Sequence, residues 1–182
     1  MADNVADNVS NESDNPNNPA LNDGADYRLD VLKKLRIVFR AAQRHSLWIE
    51  KQCGVNGAQL WMMQELLDKP GLRVGELASK LAVHQTTASN LIDALRKRGY
   101  IVKERDASDQ RVVNLRLSEE GRQVLLKAPT PARGLLQEAI LHLDEESLAQ
   151  LDAGLKGMLS SIDKLDEGFG MLPLPFMTQE PV

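Results

Sequence analysis

A pair of short helical patterns separated by a tight break constrains the fold of this chain more than any other feature. Residues 74–81 place apolar side chains on one helix face. After a break at 82–84, residues 85–98 repeat apolar positions at spacings of three and four. Gly99 ends this second helix because glycine tolerates the left-handed conformation found just past helix ends. The pattern predicts two helices joined by a tight turn.

A hairpin with a charged tip is predicted directly after this helix pair. Residues 100–104 and 112–117 have the composition of short strands, and apolar and polar side chains alternate in the second of them. A polar loop, 105–111, lies between them. Together with the helix pair, the hairpin predicts a winged helix-turn-helix in a chain of mainly α class with a small β-wing (α+β).

Helical patterns also flank this central segment. Apolar residues recur at helical spacing over 27–52 and again from a cap at Asp144 to about residue 165, where they form a heptad-like seam that favours helix association. The predicted organisation is a disordered acidic tail (1–26), dimerisation helices (27–56 and 122–165), a winged helix-turn-helix (57–121) and an irregular, apolar C-terminal tail (166–182).

The charge of the chain is unevenly distributed. The net charge of −4 is the total of −6 over residues 1–26, +8 over 27–127 and −6 over 128–182. A basic central segment between acidic flanks indicates a nucleic-acid-binding face. A solvated surface of mixed charge is the alternative, and charge alone does not choose between them.

Composition excludes several other classes of protein. One cysteine and three scattered histidines leave no disulfide framework and no metal site to expect, and no cofactor motif is visible. No apolar run approaches the roughly 18 residues of a membrane span. The first 26 residues lack the features of a signal peptide, which predicts a cytoplasmic protein. Without a phosphate loop or a nucleophile–base pair at motif spacing, an enzyme is not expected.

Three stretches carry a family resemblance. Residues 109–115 (DQRVVNL) fit the pattern D-x-R-x-x-x-L, residues 117–121 (LSEEG) follow it, and residues 77–95 have the pattern of a DNA-reading helix pair. With the order of elements, these motifs resemble the MarR family of bacterial transcription regulators over about residues 27–165. The turn glycine frequent in that family is Ala82 here, and the usual Ser or Thr cap is His84.

The resemblance implies a homodimer formed by the terminal helices, and double-stranded DNA with a pseudo-palindromic operator as partner. A dimer is also the economical way for a small reading helix to contact enough bases. Members of the family often release DNA on binding a small aromatic acid or phenol. The expected function is therefore sequence-specific regulation of transcription, as a repressor relieved by such a ligand.

The expected DNA contacts lie on the second helix of the pair and on the wing. Residues at the start of a helix placed in the major groove face the base edges, whereas an arginine enters a narrow minor groove favourably. Asp109 is expected to orient Arg111 within the wing. The alternatives are that Thr86 and Thr87 only cap the helix, and that the charged pair is a surface ion pair of little value. The candidates are Gln85, Thr86, Thr87, Ser89, Asn90, Arg96, Arg105, Asp109 and Arg111.

Two sensing sites are also candidates. A ligand site would combine cations with aromatic walls, and the alternative is that its tryptophans are core and its arginines solvated. Its candidate residues are Arg40, Arg44, His45, Trp48 and Trp61. A redox site would use Cys53, whose pKa Lys51 would lower, and an inert cysteine is the alternative. A winged helix that binds only protein is the remaining alternative function.

Overall fold

The computed structural model describes residues 19–105 and 111–178, and the side chains from residue 26 onwards within those ranges. It contains two 3₁₀ helices near the C-terminus, Glu167–Met171 and Pro175–Met177. The other elements are α1 (Pro19–Cys53), α2 (Gly57–Asp68), α3 (Val74–Lys80), α4 (Gln85–Lys97), β1 (Ile101–Arg105), β2 (Val113–Leu117), α5 (Glu119–Leu126), α6 (Leu135–Leu141) and α7 (Glu145–Ser160).

The chain divides into two compact units, Met1–Val38 and Phe39–Val182. In the first unit, the described residues form the beginning of α1, and large apolar side chains such as Leu29, Leu32 and Ile37 are exposed. The second unit contains the end of α1 and all the remaining elements. Every helix in the described ranges is too short or too polar to cross a membrane.

Local sequence fixes the helix that supports the reading helix. Asn56 caps α2, and its side-chain oxygen accepts from the backbone N–H of Gln59 at 2.9 Å. The side chain of Gln59 accepts in return from the Asn56 N–H at 3.1 Å. This capping box satisfies two N–H groups that a helix start otherwise leaves without partners.

The predicted helix-turn-helix is present, with its core on one side. The apolar positions of α4, Ala88, Leu91, Ile92 and Leu95, are all buried. They join a cluster that includes Leu60, Met63 and Leu66 of α2, Leu77 of α3, and Ile101 and Leu115 of the hairpin. Gly99 has φ +77°, as expected for the residue that ends α4.

The wing is a two-stranded antiparallel sheet. β1 and β2 pair with Ile101 opposite Leu117 and Lys103 opposite Leu115, and Leu72 adds a single bridge to Leu115. Both strands begin one residue later than predicted, because Tyr100 and Val112 lie outside the ladder. The inward side chains Ile101, Leu115 and Leu117 are buried and anchor the wing to the helices.

Gly121 explains why α5 packs where it does. A Cβ atom at this position would lie 2.4 Å from the carbonyl oxygen of Tyr100, so only glycine allows the approach. Leu125 of the same helix is buried in the core. The domain boundary predicted between residues 121 and 122 therefore falls inside a helix that belongs to the winged-helix core.

Three predicted boundaries need correction. Helix α1 begins at Pro19 rather than Tyr27, since proline is accommodated in the first turn of a helix. The last helix ends at Ser160 rather than near residue 165. Residues 166–182 were expected to be irregular, yet they contain the two 3₁₀ helices, and Met177 is buried. The prediction of disorder for residues 1–18 lies outside the described residues.

Candidate nucleic-acid interface

The start of α4 presents polar side chains on the side of the helix that faces away from the core. Gln85, Thr86 and Asn90 are exposed, and Thr87 and Ser89 are half-buried beside them. The N-cap of α4 is His84, so Thr86 and Thr87 stand inside the first turn rather than at the cap. The capping role offered as an alternative for the two threonines is therefore not what the structure shows.

The far end of α4 is held by contacts within the protein. The Asp93 carboxylate forms ion pairs with Lys103 of the wing at 3.3 Å and with Arg96 at 3.6 Å. The hydrogen bond from Lys103 holds the pKa of Asp93 below its usual value. Arg98 donates to the carbonyl of Gly54 and lies over the ring of Tyr100, 5.1 Å from its centroid. Arg96 keeps half of its side-chain surface exposed, which leaves it accessible to a phosphate.

The wing carries its cations at the end away from the core. Arg105 ends β1 and Arg111 lies just before β2, and both are exposed. Arg116 and Glu104 form an ion pair across the strands at 2.6 Å. Asp109 lies outside the described residues, so its predicted role in orienting Arg111 stays a prediction.

Residues 54–112, which span α2 to the wing, match the MarR family profile. This segment of the chain is similar to the MarR family. The matched segment contains the helix pair and ends next to Arg111, so the family match and the candidate DNA contacts coincide in the sequence.

Two proteins of Bacillus subtilis are similar to this chain. The HTH-type transcriptional repressor MdtR is 25% identical over 138 residues, which cover 76% of this chain and 88% of MdtR. The uncharacterised HTH-type transcriptional regulator YsmB is 25% identical over 126 residues, which cover 69% of this chain and 86% of YsmB.

Solved structures show the same MarR fold. A point mutant of Staphylococcus aureus MepR superposes with a TM-score of 0.50 at 25% identity, covering 72% of this chain and 96% of MepR. A MarR family protein from Bacillus stearothermophilus also gives a TM-score of 0.50, at 21% identity, covering 77% of this chain and 98% of that protein.

An open groove of about 630 Å³ lies beside the second half of α1. Arg44 and Lys51 bring positive charge to it, and the Trp48 side chain, half exposed, forms an aromatic wall. The rings of His45 and Trp48 meet edge to face, with centroids 6.1 Å apart. Cations beside an aromatic wall suit a small aromatic anion.

The structure brings together three of the five predicted ligand residues. Arg44, His45 and Trp48 line the groove, whereas Arg40 is exposed outside it. Trp61 is half-buried against the core and lines other cavities. His45 Nε2 forms a hydrogen bond with the carbonyl oxygen of Pro131 at 2.9 Å. Since a carbonyl oxygen only accepts, the ring nitrogen is the donor.

The redox hypothesis rested on a lowered thiol pKa at Cys53, and the structure contradicts this. The side chain is partly buried, and burial raises the pKa of the thiol because the thiolate loses hydration. This direction is opposite to the lowering expected from Lys51, and a redox role of Cys53 stays a prediction.

Sequence reasoning missed a buried carboxylate. It links α2 and α3 to the loop before α6. The side chain of Glu65 in α2 is 5% exposed. It forms ion pairs with Lys80 of α3 at 2.8 Å and with Arg133 at 2.7 Å. Trp61 Nε1 donates to it at 3.1 Å, and Arg133 also pairs with Asp68. Burial opposes ionisation of Glu65, but the hydrogen bonds from Lys80 and Arg133 outweigh it and hold its pKa below the usual value.

We expect Glu65→Gln to lower the free energy of unfolding by about 2 kcal/mol at pH 7, the usual size of a hydrogen bond to a charged group. Since folding lowers the pKa of Glu65, its contribution is present above the unfolded-state pKa of about 4.3 and is lost as pH falls through the folded-state pKa. Urea unfolding at pH 7 and pH 3.5 measures both effects. Glu104→Gln, in an exposed ion pair with Arg116, is the matched control and should cost about 0.5 kcal/mol or less. An equal loss for Glu65→Gln at both pH values contradicts the assignment.

Proposed function

We propose that this protein is a sequence-specific, double-stranded-DNA-binding transcriptional repressor that acts as a homodimer. The observation that carries the proposal is the exposed polar start of α4 in the same structural unit as a wing that exposes Arg105 and Arg111. In this arrangement α4 enters the major groove and the wing reaches the adjacent minor groove. The relation to the repressor MdtR supports the direction of regulation.

The exposed apolar face of α7 supports the homodimer. None of the residues of α7 is buried, although five of its side chains, each exposed by 40% to 47%, are large and apolar. A second copy of the chain would cover this surface and place two α4 helices on one operator. These side chains are Leu148, Leu151, Leu155, Met158 and Leu159.

A small aromatic carboxylate is the proposed effector. The groove beside α1 offers Arg44 and Lys51 to a carboxylate and Trp48 to a ring. A ligand that binds the free protein better than the DNA-bound form shifts the population away from DNA. Arg44 and Lys51 specify the negative charge of the ligand. The open groove accepts either a benzoate-like or a phenolic ring.

Footprinting of the purified protein on the DNA upstream of its own coding sequence tests the proposed function. We expect two protected half-sites whose centres are separated by about 10 base pairs or a multiple of that spacing. Affinity should fall steeply with salt, because the basic segment 27–127 replaces condensed counterions on the phosphates. Protection that does not depend on sequence would contradict specific reading.

The same footprint repeated with a panel of aromatic carboxylates tests the effector. We expect operator occupancy to fall with at least one of them. Arg44→Ala should retain DNA binding and lose the response to the carboxylate. The control Arg40→Ala removes the same charge from α1 outside the groove and should keep the response. An unchanged response in Arg44→Ala would remove the groove as the effector site.

A further inference from the structure

The C-terminal segment docks on three separate elements of the second unit. We call residues 166–178 the strap. Met177 is 6% exposed and belongs to the hydrophobic core, and Leu174 and Phe176 are partly buried against that core. The C-terminal part of the strap therefore has a binding surface within this chain, whereas Phe169, Met171 and Leu172 are exposed.

Polar contacts fix the register of the strap. The hydroxyl of Ser46 in α1, itself buried, donates to the carbonyl of Phe176 at 2.8 Å. Gly57, the first residue of α2, makes room for both partners: a Cβ atom there would lie 2.9 Å from Ser46 Oγ and 3.8 Å from Met177 Cα. The strap thus crosses the junction between α1 and α2 in one position.

The other end of the strap reaches the residue that begins the reading helix. The backbone N–H of His84, the N-cap of α4, donates to the carbonyl of Met171 at 3.1 Å. Strap residues Leu172 and Pro173 also line a cavity of about 320 Å³ together with Ala82 and Val83 of the turn. The strap therefore contacts the turn between α3 and α4 through a backbone hydrogen bond, and a cavity separates Leu172 and Pro173 from Ala82 and Val83.

That turn needs support because it contains a strained residue. Ala82 has φ +51°, a left-handed conformation that glycine adopts freely and alanine does not. Such strained conformations persist where the surrounding structure holds them. The buried side chains of Leu81 and Val83 hold the turn on either side of Ala82. At His84, whose side chain makes no capping hydrogen bond to α4, the strap adds the hydrogen bond that the Met171 carbonyl accepts.

We propose that the strap is a positioning segment for DNA reading: anchored in the core by Met177 and bonded to the His84 N–H through Met171, it holds the start of α4 in its reading orientation. This inference rests on the proposed function, because orientation of α4 matters only if α4 reads base edges. Base contacts need this orientation, whereas contacts of basic side chains with phosphates tolerate its loss.

The variant Met177→Glu in the full chain tests the proposal, since a carboxylate does not fit the buried position and should release the strap. We expect operator affinity to fall about tenfold, as when only about one tenth of the molecules hold α4 in the reading orientation. Affinity for random-sequence DNA should stay unchanged. Met177→Leu, which conserves volume and polarity, is the matched control and should bind the operator like the wild type.

A second substitution separates positioning from a general loss of stability. Ala82→Gly removes the strain in the turn, so it should restore most of the operator affinity of Met177→Glu and change the wild type little. Ser46→Ala, which removes only the hydrogen bond to Phe176, should weaken operator binding in the same direction by less. A Met177→Glu protein with the wild-type ratio of operator to random-DNA affinity would overturn the proposal.

Hydrogen exchange at the His84 amide keeps the proposal falsifiable even if Met177→Glu fails to fold. In the wild type this amide should exchange slowly, because Met171 accepts its hydrogen bond. Fast exchange in the wild type would overturn the positioning role whatever the variants do. A wild-type protein that does not distinguish operator from random DNA would instead refute the proposed function, which makes the two failures distinguishable.

Discussion

The double variant Leu151→Asp/Leu155→Asp is expected to be monomeric and to lose operator affinity by about 100-fold or more. Both side chains lie on the exposed apolar face of α7, about 40% exposed in a single copy. Two carboxylates buried between copies of the chain would be strongly unfavourable. A monomer binds one half-site only, and joining two half-site contacts typically raises overall affinity by about 10²–10⁴-fold.

Sedimentation velocity and operator binding by fluorescence anisotropy measure the two effects on one sample. The control is Gln150→Asp/Ala153→Asp, which adds the same charge to exposed positions of α7 away from the leucine stripe. It should stay dimeric and bind the operator within a factor of about two, since exposed charges contribute little. If Leu151→Asp/Leu155→Asp also stays dimeric, α7 is not the dimer interface.

Arg111→Ala should weaken operator binding by about 10- to 100-fold, the size expected for losing a specific groove contact. The exposed position of Arg111, next to β2 at the outer part of the wing, suits a guanidinium that enters the minor groove. The negative potential there is strongest where the groove is narrow, so the loss should be largest on A·T-rich flanks. The slope of log affinity against log salt should decrease by about one if a phosphate contact is lost as well.

Lys156→Ala is the charge-matched control for Arg111→Ala. Lys156 lies on α7 with 73% of its side chain exposed, so its removal changes the net charge equally without touching the wing. Equal operator affinities for the two variants would show that Arg111 acts only through net charge. Anisotropy titrations on one operator at several salt concentrations separate these cases.

The helix pair and the wing could be predicted from sequence because their signals are local. The capping pair Asn56 and Gln59 fixes the start of α2, and Pro70 follows its end at Asp68. The start of α4 was likewise predicted at Gln85, where the apolar periodicity begins. Local capping and periodicity determine such elements almost completely.

The strap and the Glu65 cluster could not be predicted, because they depend on contacts between distant residues. Phe176 meets Ser46 across 130 positions of sequence, and no local pattern encodes such a pairing. In sequence, Glu65 looks like an ordinary helix acid, although the folded chain buries it between Lys80 and Arg133. The ligand candidates show the same limit, since residue type placed Trp48 and Trp61 in one candidate set although they line different cavities.

The contact of Arg98 with the Gly54 carbonyl has a mechanical consequence. It joins the C-terminal end of α4 to the residue that follows α1, and stacking on Tyr100 stiffens the joint. We therefore expect the C-terminal end of α4 to follow the end of α1 when α1 moves, while the strap holds the other end of the helix at His84. In the proposed homodimer, a movement of α1 would therefore change the spacing between the two copies of α4.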